Sequence, residues 1–230
     1  MEETQNKKDR VKRIFDSISY RYDFLNHFLS LGIDFYWRKK AIEFSGMNTN
    51  SVLLDIACGT GDFSIAAYKA GIKNIFGADL SINMLRLFDK KVKWINGKTT
   101  QCVAEFLPFQ DGSFTNITVA FGVRNFYDIH QAFKSFHRIL TPNGKVTVLE
   151  FRLPSSRIVR SLYLFYFNKV LPIIGRMISK DNEAYTYLPE SVGEFDKNVD
   201  LIKLFEEAGF STVQKHSLTF GLVQVVIAGK

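Results

Sequence analysis

Two cysteines, five prolines and two tryptophans in 230 residues already exclude several kinds of protein. Cys58 and Cys102 cannot build the disulfide framework on which small secreted domains depend, and a crosslink at Cys58 would stiffen the glycine loop in which it stands. Free thiols are the expectation. A secretory start is also missing, because "MEETQNKKDRVKRIF" is charged and has neither an apolar core nor a small-residue cleavage site. The protein is therefore expected in the cytoplasm. Nor is there a run apolar enough to cross a bilayer. The nearest candidate, "IVRSLYLFYFNKVLPIIGRMI" from Ile158, is broken by Arg160, Asn168, Lys169, Pro172 and Arg176, whereas a span needs about 20 mostly apolar residues. Internal repeats and low-complexity linkers are absent too.

What is present is a chain 46% hydrophobic and 14% aromatic, enough for one α/β domain over 1–230 with a full core and an attached cap. The formal charge of +7 favours an anionic surface, either nucleic acid or lipid headgroups, and says nothing of fold. Residues 11–46 read as helices with an apolar stripe through Ile14, Ile18, Phe24 and Phe28. The pattern then alternates: strand 52–57, helix 61–70, strand 74–79, helix from Ser81, strands near 99–103 and at 115–121, helix 128–139, a turn at Thr141–Gly144 and strand 145–151. Such alternation implies βαβ units and a parallel sheet covered on both faces. The tail departs from it. "FSTVQKHSLT" and "LVQVVIAGK" have only Phe220 and Gly221 between them, a connection short enough to join antiparallel neighbours alone. A mostly parallel sheet closed by a C-terminal antiparallel hairpin is the arrangement of the methyltransferases that use S-adenosylmethionine.

The loop "LLDIACGTGDFS" (53–64) tests that reading. Glycines after a buried strand usually cradle phosphates, yet Asp55 and Asp62 bracket Gly59, Thr60 and Gly61 with negative charge. A dinucleotide fold would place a third glycine at Ser64, and a phosphate-binding P-loop would need a lysine. S-adenosyl-L-methionine has no phosphate and carries a sulfonium and an ammonium, both attracted to carboxylates. Asp79 closes the second strand 24 positions after Asp55, the distance at which such folds grip ribose hydroxyls. The plainer alternatives are a tight turn for the glycines and a helix N-cap for Asp79.

Longer segments carry a resemblance. "YDFLNHFLSLGIDFYW" (22–37), "LPFQDGSFTNITVAFGVRNF" (107–126), "RILTPNGKVTVLEF" (138–151) and "YTYLPES" (185–191) are similar to signatures of the quinone-biosynthesis C-methyltransferases, from about residue 11 to the C-terminus. Members methylate demethylmenaquinol to menaquinol, or the equivalent benzoquinol in ubiquinone synthesis. The resemblance implies a class I, Rossmann-like methyltransferase sheet with an N-terminal helical cap (1–46) and an inserted aromatic helical lid (155–195). It also implies cofactor contacts at Asp55, Gly59, Thr60, Gly61, Asp79, Val103 and Ala104. Three positions depart from the family pattern: Asp34 stands where histidine is usual, Val103 where Asn or Asp precedes alanine, and Ala120 where serine is frequent. The backbone N–H after Val103 can still bond an adenine ring.

A ring carbon that accepts a methyl cation must be nucleophilic, so the acceptor implied is the reduced quinol and not the electron-poor quinone. No metal is needed. Arg124 and Asn125, after the strand 115–121, fall at the carboxyl edge of the sheet, where they would stabilise a phenolate. An ordinary ion pair of Arg124 with an acid such as Asp128 is the alternative. Tyr22, Asn26, Trp37, Tyr185 and Tyr187 lie in the signature segments outside the sheet and are candidates to stack on the substrate ring, with core packing the alternative. His27 lies among them, while His130, His137 and His216 read as packing or surface positions. Glu105 suits either a ligand contact or a helix cap. The aromatic and basic residues of 157–180 suit a lipid interface, which would hold the protein transiently on the inner face of the membrane. The partners implied are thus a prenylated quinol and a membrane surface, with a homodimer left open and no nucleic acid. Two rival functions remain at this stage, an RNA methyltransferase and a non-catalytic S-adenosylmethionine-binding subunit, although the basic residues are scattered and no RNA-binding module fits.

Overall fold

The computed structural model describes residues 2–19, 23, 27, 30–166 and 183–230, and for 2–8, 18 and 183–186 the main chain alone. The apolar runs become strands β1 (Val52–Ile56), β2 (Asn74–Asp79), β3 (Thr99–Gln101), β4 (Phe114–Ala120), β5 (Leu140–Phe151), β6 (Thr212–Leu218) and β7 (Val223–Gly229). Their order is β3-β2-β1-β4-β5-β7-β6. The first five run parallel, and β7 inserts antiparallel between β5 and β6. The helices are α1 (Glu2–Ile18), α2 (Ile33–Ser45), α3 (Asp62–Lys69), α4 (Ile82–Lys91), α5 (Ile129–Ile139), α6 (Arg157–Phe165), α7 (Glu183–Asn198) and α8 (Leu201–Glu207). The mostly parallel sheet with its terminal hairpin is therefore as the sequence predicts.

Two apolar layers sandwich that sheet, because alternate residues of each strand face opposite ways. Leu54, Ile117, Val119 and Val148 pack with Phe133 and Phe136 of α5 and Phe205 of α8. The rings of Phe133 and Phe205 stack with centroids 3.9 Å apart. On the other face Leu53, Ile75 and Leu149 meet Trp37 and Ala41 of α2, Phe63 of α3 and Phe88 of α4. Each large side chain buried this way contributes about 1.5–3 kcal/mol.

β1 and β4 lie within one residue of their sequence reading, and β5 and β3 depart from it further. β5 starts at Leu140 and not at 145: Leu140 pairs with Phe114 and Lys145 with Asn116, so the turn residues between them bulge out of a ladder that has already begun. Leu140 is fully buried, and that burial draws it into the sheet. β3 ends at Gln101 and not at 103, since the chain beyond it leaves the ladder and lines a cleft.

Strand order reverses between β1 and β4, which makes the carboxyl ends of these two strands the topological switch point where open α/β sheets hold ligands. The chain is tightly constrained there. Gly61, at φ +86°, has no room for a side chain: an added Cβ would lie 2.1 Å from the Phe88 ring. At the end of β4 a Cβ on Gly122 would meet that of Ala57 at 2.6 Å. Glycine at both positions lets the β1 loop approach its neighbours this closely.

Candidate active site

A cleft opens at that switch point, concave and lined by apolar side chains with a few polar groups among them, as small-molecule sites are. Ile56, Ala57 and Gly59 after β1, Asp79 at the end of β2, Val103 to Glu105 after β3 and Ala120 to Gly122 with Asn125 after β4 form its walls. α1 crosses it, contributing Val11, Lys12 and Phe15 to the lining. The hydroxyl of Ser81 donates to Asp16, which ties the helix down on the cleft rim. Two non-glycine residues of the wall, Ala57 and Phe121, sit at φ +51° and +58°. Left-handed conformations of such residues cost about 1–3 kcal/mol each and cluster where a ligand dictates the path of the chain.

Asp79 organises the cleft floor. Its Oδ2 accepts from the Gly59 N–H and its Oδ1 from the Ser81 N–H, both at 2.8 Å, so one carboxylate joins the glycine loop to the start of α4. The N-cap of α4 is Ser81, whose Oγ accepts from Met84 N–H, and Asp79 remains on the cleft wall. Burial pushes its carboxyl up to about 6, against the backbone donors. Asp55 is buried more deeply still: Ser64 Oγ donates to it at 2.7 Å and Thr118 Oγ1 at 2.9 Å. Burial pushes this carboxyl to about 6 as well, opposed by those two hydroxyls. Ser64, where a dinucleotide fold would have glycine, is thus the residue that anchors it. Glu105 Oε1 accepts from the N–H groups of Tyr127 and Asp128, and burial raises its carboxyl. Burial also drives the Cys58 thiol far up and that of Cys102 to about 12, which keeps both protonated and inert.

A narrower extension of the cleft is lined by Arg38, Asp55, Thr60 and Asp62, and shares Ala57, Gly59, Ala120 and Phe121 with it. Arg38 Nη1 donates to Asp34, Lys91 Nζ reaches Asp62 at 2.6 Å, and Thr60 Oγ1 donates to Asp23. His27 Nδ1 lies 2.7 Å from Asp34 Oδ2 and its ring stacks on Phe35.

Beside the cleft, Arg124 Nη1 donates to Glu150 Oε1 and to the carbonyl of Phe121, each at 2.6 Å, and its Nε to Ser191 Oγ at 3.3 Å. Glu150 is wholly buried. The acid paired with Arg124 is therefore Glu150; Asp128, the partner suggested by sequence, instead caps α5 by accepting from Gln131 N–H. Clamping the carbonyl of the strained Phe121 fixes the shape of the wall. Asn125 Oδ1 accepts from Tyr187 OH at 2.8 Å. Burial raises the Tyr187 phenol, so it stays protonated and donates.

The sequence profile of the ubiE/COQ5 methyltransferase family matches residues 3–230. The chain belongs to that family. It is 41% identical over 232 residues to the ubiquinone/menaquinone biosynthesis C-methyltransferase UbiE of Geotalea daltonii, covering 97% of each chain. It is 39% identical over 227 residues to the demethylmenaquinone methyltransferase of Chlorobaculum tepidum, covering 97% of this chain and 93% of that one. Among solved structures, a SAM-dependent methyltransferase of Thermotoga maritima superposes with a TM-score of 0.63 at 20% identity, over 95% of this chain and 99% of that one. That likeness concerns the fold.

Of the positions the ubiE/COQ5 resemblance implies, Gly59, Asp79, Val103, Ala104 and Asn125 meet in the main cleft, and Asp55 and Thr60 in its extension. Gly61 turns the chain into α3. Arg124 stands behind the wall, and Trp37 is buried, its indole N–H donated to Thr219 at 2.7 Å and its ring set against Phe121 and Phe151. Tyr22 and Asn26 lie outside the described residues, as does the side chain of Tyr185. Sequence reasoning missed Arg38 and Glu150. Neither belongs to a spacing pattern; for Glu150 the signal is a charged residue inside an apolar segment ("VTVLEF"), whereas Arg38 opens a basic run ("WRKK") and nothing local sets it apart from Lys39 and Lys40.

Proposed function

We propose that this protein transfers a methyl group from S-adenosylmethionine to a ring carbon of a prenylated quinol, converting demethylmenaquinol to menaquinol. The observation that carries this reading is the family match over residues 3–230, which takes in the N-terminal segments as well as the sheet. The donor set of the cleft fits the cofactor. Asp79 offers acceptors for ribose hydroxyls, Met84 and Ala104 offer apolar contacts to a base, and the acids around the glycine loop suit a group with cationic centres. When bound, the cofactor supplies an electrophilic methyl group on a sulfonium. The chain's residues then have to hold the ring in line with it, keep water out and stabilise negative charge on the ring oxygen.

Asn125 and Arg124 take that last role in this reading. With Oδ1 engaged by Tyr187, the two amide N–H donors of Asn125 remain for a phenolate oxygen at the cleft wall. Arg124, held by Glu150 and the Phe121 carbonyl, adds positive charge behind it. Helices α1 and α2 serve as the cap and α6 and α7 as the lid that excludes water, with Tyr187 on the ring's side, while Trp37 packs in the core beneath Phe121. Incubating the purified protein with labelled cofactor and reduced or oxidised demethylmenaquinone and the matching benzoquinone tests the chemistry. Label is expected in the reduced naphthoquinol; transfer to the oxidised ring alone would rule out this mechanism.

The prenyl tail makes a lipid surface the natural source of substrate, and α6 supports that. Ile158, Leu162 and Phe165 are 76%, 66% and 62% exposed and share one helix face, flanked by the exposed Arg157 and Arg160. No helix among the described residues is long and apolar enough to cross a membrane. Leu162→Glu is expected to reduce co-sedimentation with phosphatidylglycerol vesicles severalfold while leaving methylation of a short-tailed quinol unchanged; undiminished vesicle binding would remove α6 from the contact.

A further inference from the structure

We propose that Arg38 is the seat of the amino-acid carboxylate of the methyl donor, gripping it with the Nε–Nη2 edge of its guanidinium. This rests on the reading of the cleft as a site for S-adenosylmethionine. Arg38 projects from α2 and its side chain is only 5% exposed. Nη1 is committed to Asp34, and the guanidinium lies over the Phe121 ring with Cζ 5.9 Å from its centroid, so the plane of the group is set by the protein. The opposite edge is under-used. Nε is buried without a hydrogen-bond partner among the described residues, and Nη2 makes one long approach, 3.5 Å, to Asp62.

A buried guanidinium N–H lacking an acceptor is unfavourable. On this edge two N–H groups point the same way, the fork that a carboxylate fills with two parallel bonds. Arg38 lines the narrow pocket that shares Ala57 and Gly59 with the main cleft, which places its guanidinium beside the space where the chain of a nucleoside-linked amino acid would end. Asp55 and Asp62 line the same extension. A zwitterion is thereby matched at both ends, its carboxylate by Arg38 and its ammonium by the acids. A metal ion is the poorer occupant. His27, Asp34 and Asp62 bring ligand atoms within 4.8 Å of one another, but Arg38 and Lys91 already lie on the same carboxylates.

Calorimetry with S-adenosylhomocysteine and with methylthioadenosine, the nucleoside lacking the amino-acid end, tests the assignment. The wild type is expected to bind the former at least roughly tenfold more tightly, the order of a lost charge-assisted pair. Arg38→Gln should cut that preference severalfold, leaving only the part owed to the ammonium, and keep methylthioadenosine affinity within about twofold of wild type. Removing Arg38 also strips Asp34 of its partner, so the wild type should in parallel be titrated with decarboxylated S-adenosylmethionine, expected to bind roughly tenfold more weakly than the intact donor. Full affinity of Arg38→Gln for S-adenosylhomocysteine, equal loss of both ligands, or no penalty for decarboxylation would overturn the proposal. A wild type that binds neither nucleoside would instead remove the cofactor reading beneath it.

Discussion

Arg124→Ala is expected to lose at least about 99% of quinol turnover and to melt at a lower temperature than the wild type. Two effects combine. Glu150 is wholly buried and takes the guanidinium at 2.6 Å. Deleting the cation leaves that carboxylate unpaired, a change worth about 3–5 kcal/mol in buried pairs. The carbonyl of Phe121 loses its donor too, and with it the clamp on a left-handed residue of the cleft wall. Stability loss alone would therefore lower activity without any role in the chemistry. The double variant Arg124→Gln/Glu150→Gln separates the two, because it removes both charges and leaves amides able to bond each other. Its melting temperature should return close to that of the wild type while turnover stays low. If the double variant methylates the quinol at the wild-type rate, Arg124 holds the wall in place and takes no part in stabilising the phenolate.

Asp79→Asn is expected to weaken cofactor binding by roughly 10–100-fold, the range for hydrogen bonds to a charged group. Both carboxylate oxygens accept backbone N–H groups, from Gly59 and Ser81. An asparagine offers one acceptor and sets its own N–H₂ against the second donor, so the glycine loop is disturbed together with the ribose contact. The same carboxyl makes binding depend on pH. Burial places its titration, and that of Asp55, near pH 6 in the ligand-free protein, above the ordinary 3.8. Ribose hydroxyls donate to the ionised form, so affinity should rise from pH 5 to pH 7 and level off above about 6.

The fold responds in the opposite sense. Each raised carboxyl makes the folded state bind more protons than the unfolded chain between pH 3.8 and about 6. Its contribution is full below 3.8 and is lost as pH rises through about 6, as much as about 3 kcal/mol per group. Melting curves with and without S-adenosylhomocysteine check both signs at once. The ligand-induced rise in melting temperature should be larger at pH 7 than at pH 5, and Asp79→Asn should flatten that difference. An equal rise at both pH values in the wild type would exclude Asp79 as a titrating ligand contact.

Much of the architecture was legible residue by residue because it depends on local rules. The short turn at Phe220 and Gly221 demanded antiparallel neighbours, and β6 and β7 pair so. The acid at the end of β2 and the glycines after β1 follow from what a strand-to-helix turn can hold: Asp79 and Gly59 line the cleft, and Gly61 turns the chain into α3. Boundaries were less legible where burial overrode turn chemistry, as at Leu140, which enters β5 ahead of the residues Thr141 to Gly144 that read as a stop.

By itself the sequence determined the parallel sheet with its terminal hairpin, the acid-flanked glycine loop and the family signatures, since periodicity, turn residues and motif spacing are properties of neighbours along the chain. The tertiary structure alone decided which polar groups meet: Arg38 with Asp62 across 24 positions, Arg124 with Glu150 across 26, and Asp55 with Thr118 as register partners on adjacent strands. It also laid α1 over the cleft. The physical reason is that an ion pair or a shared wall depends on strand order, register and the faces that helices bury, and these are fixed by packing over the whole molecule, not by any short stretch of it.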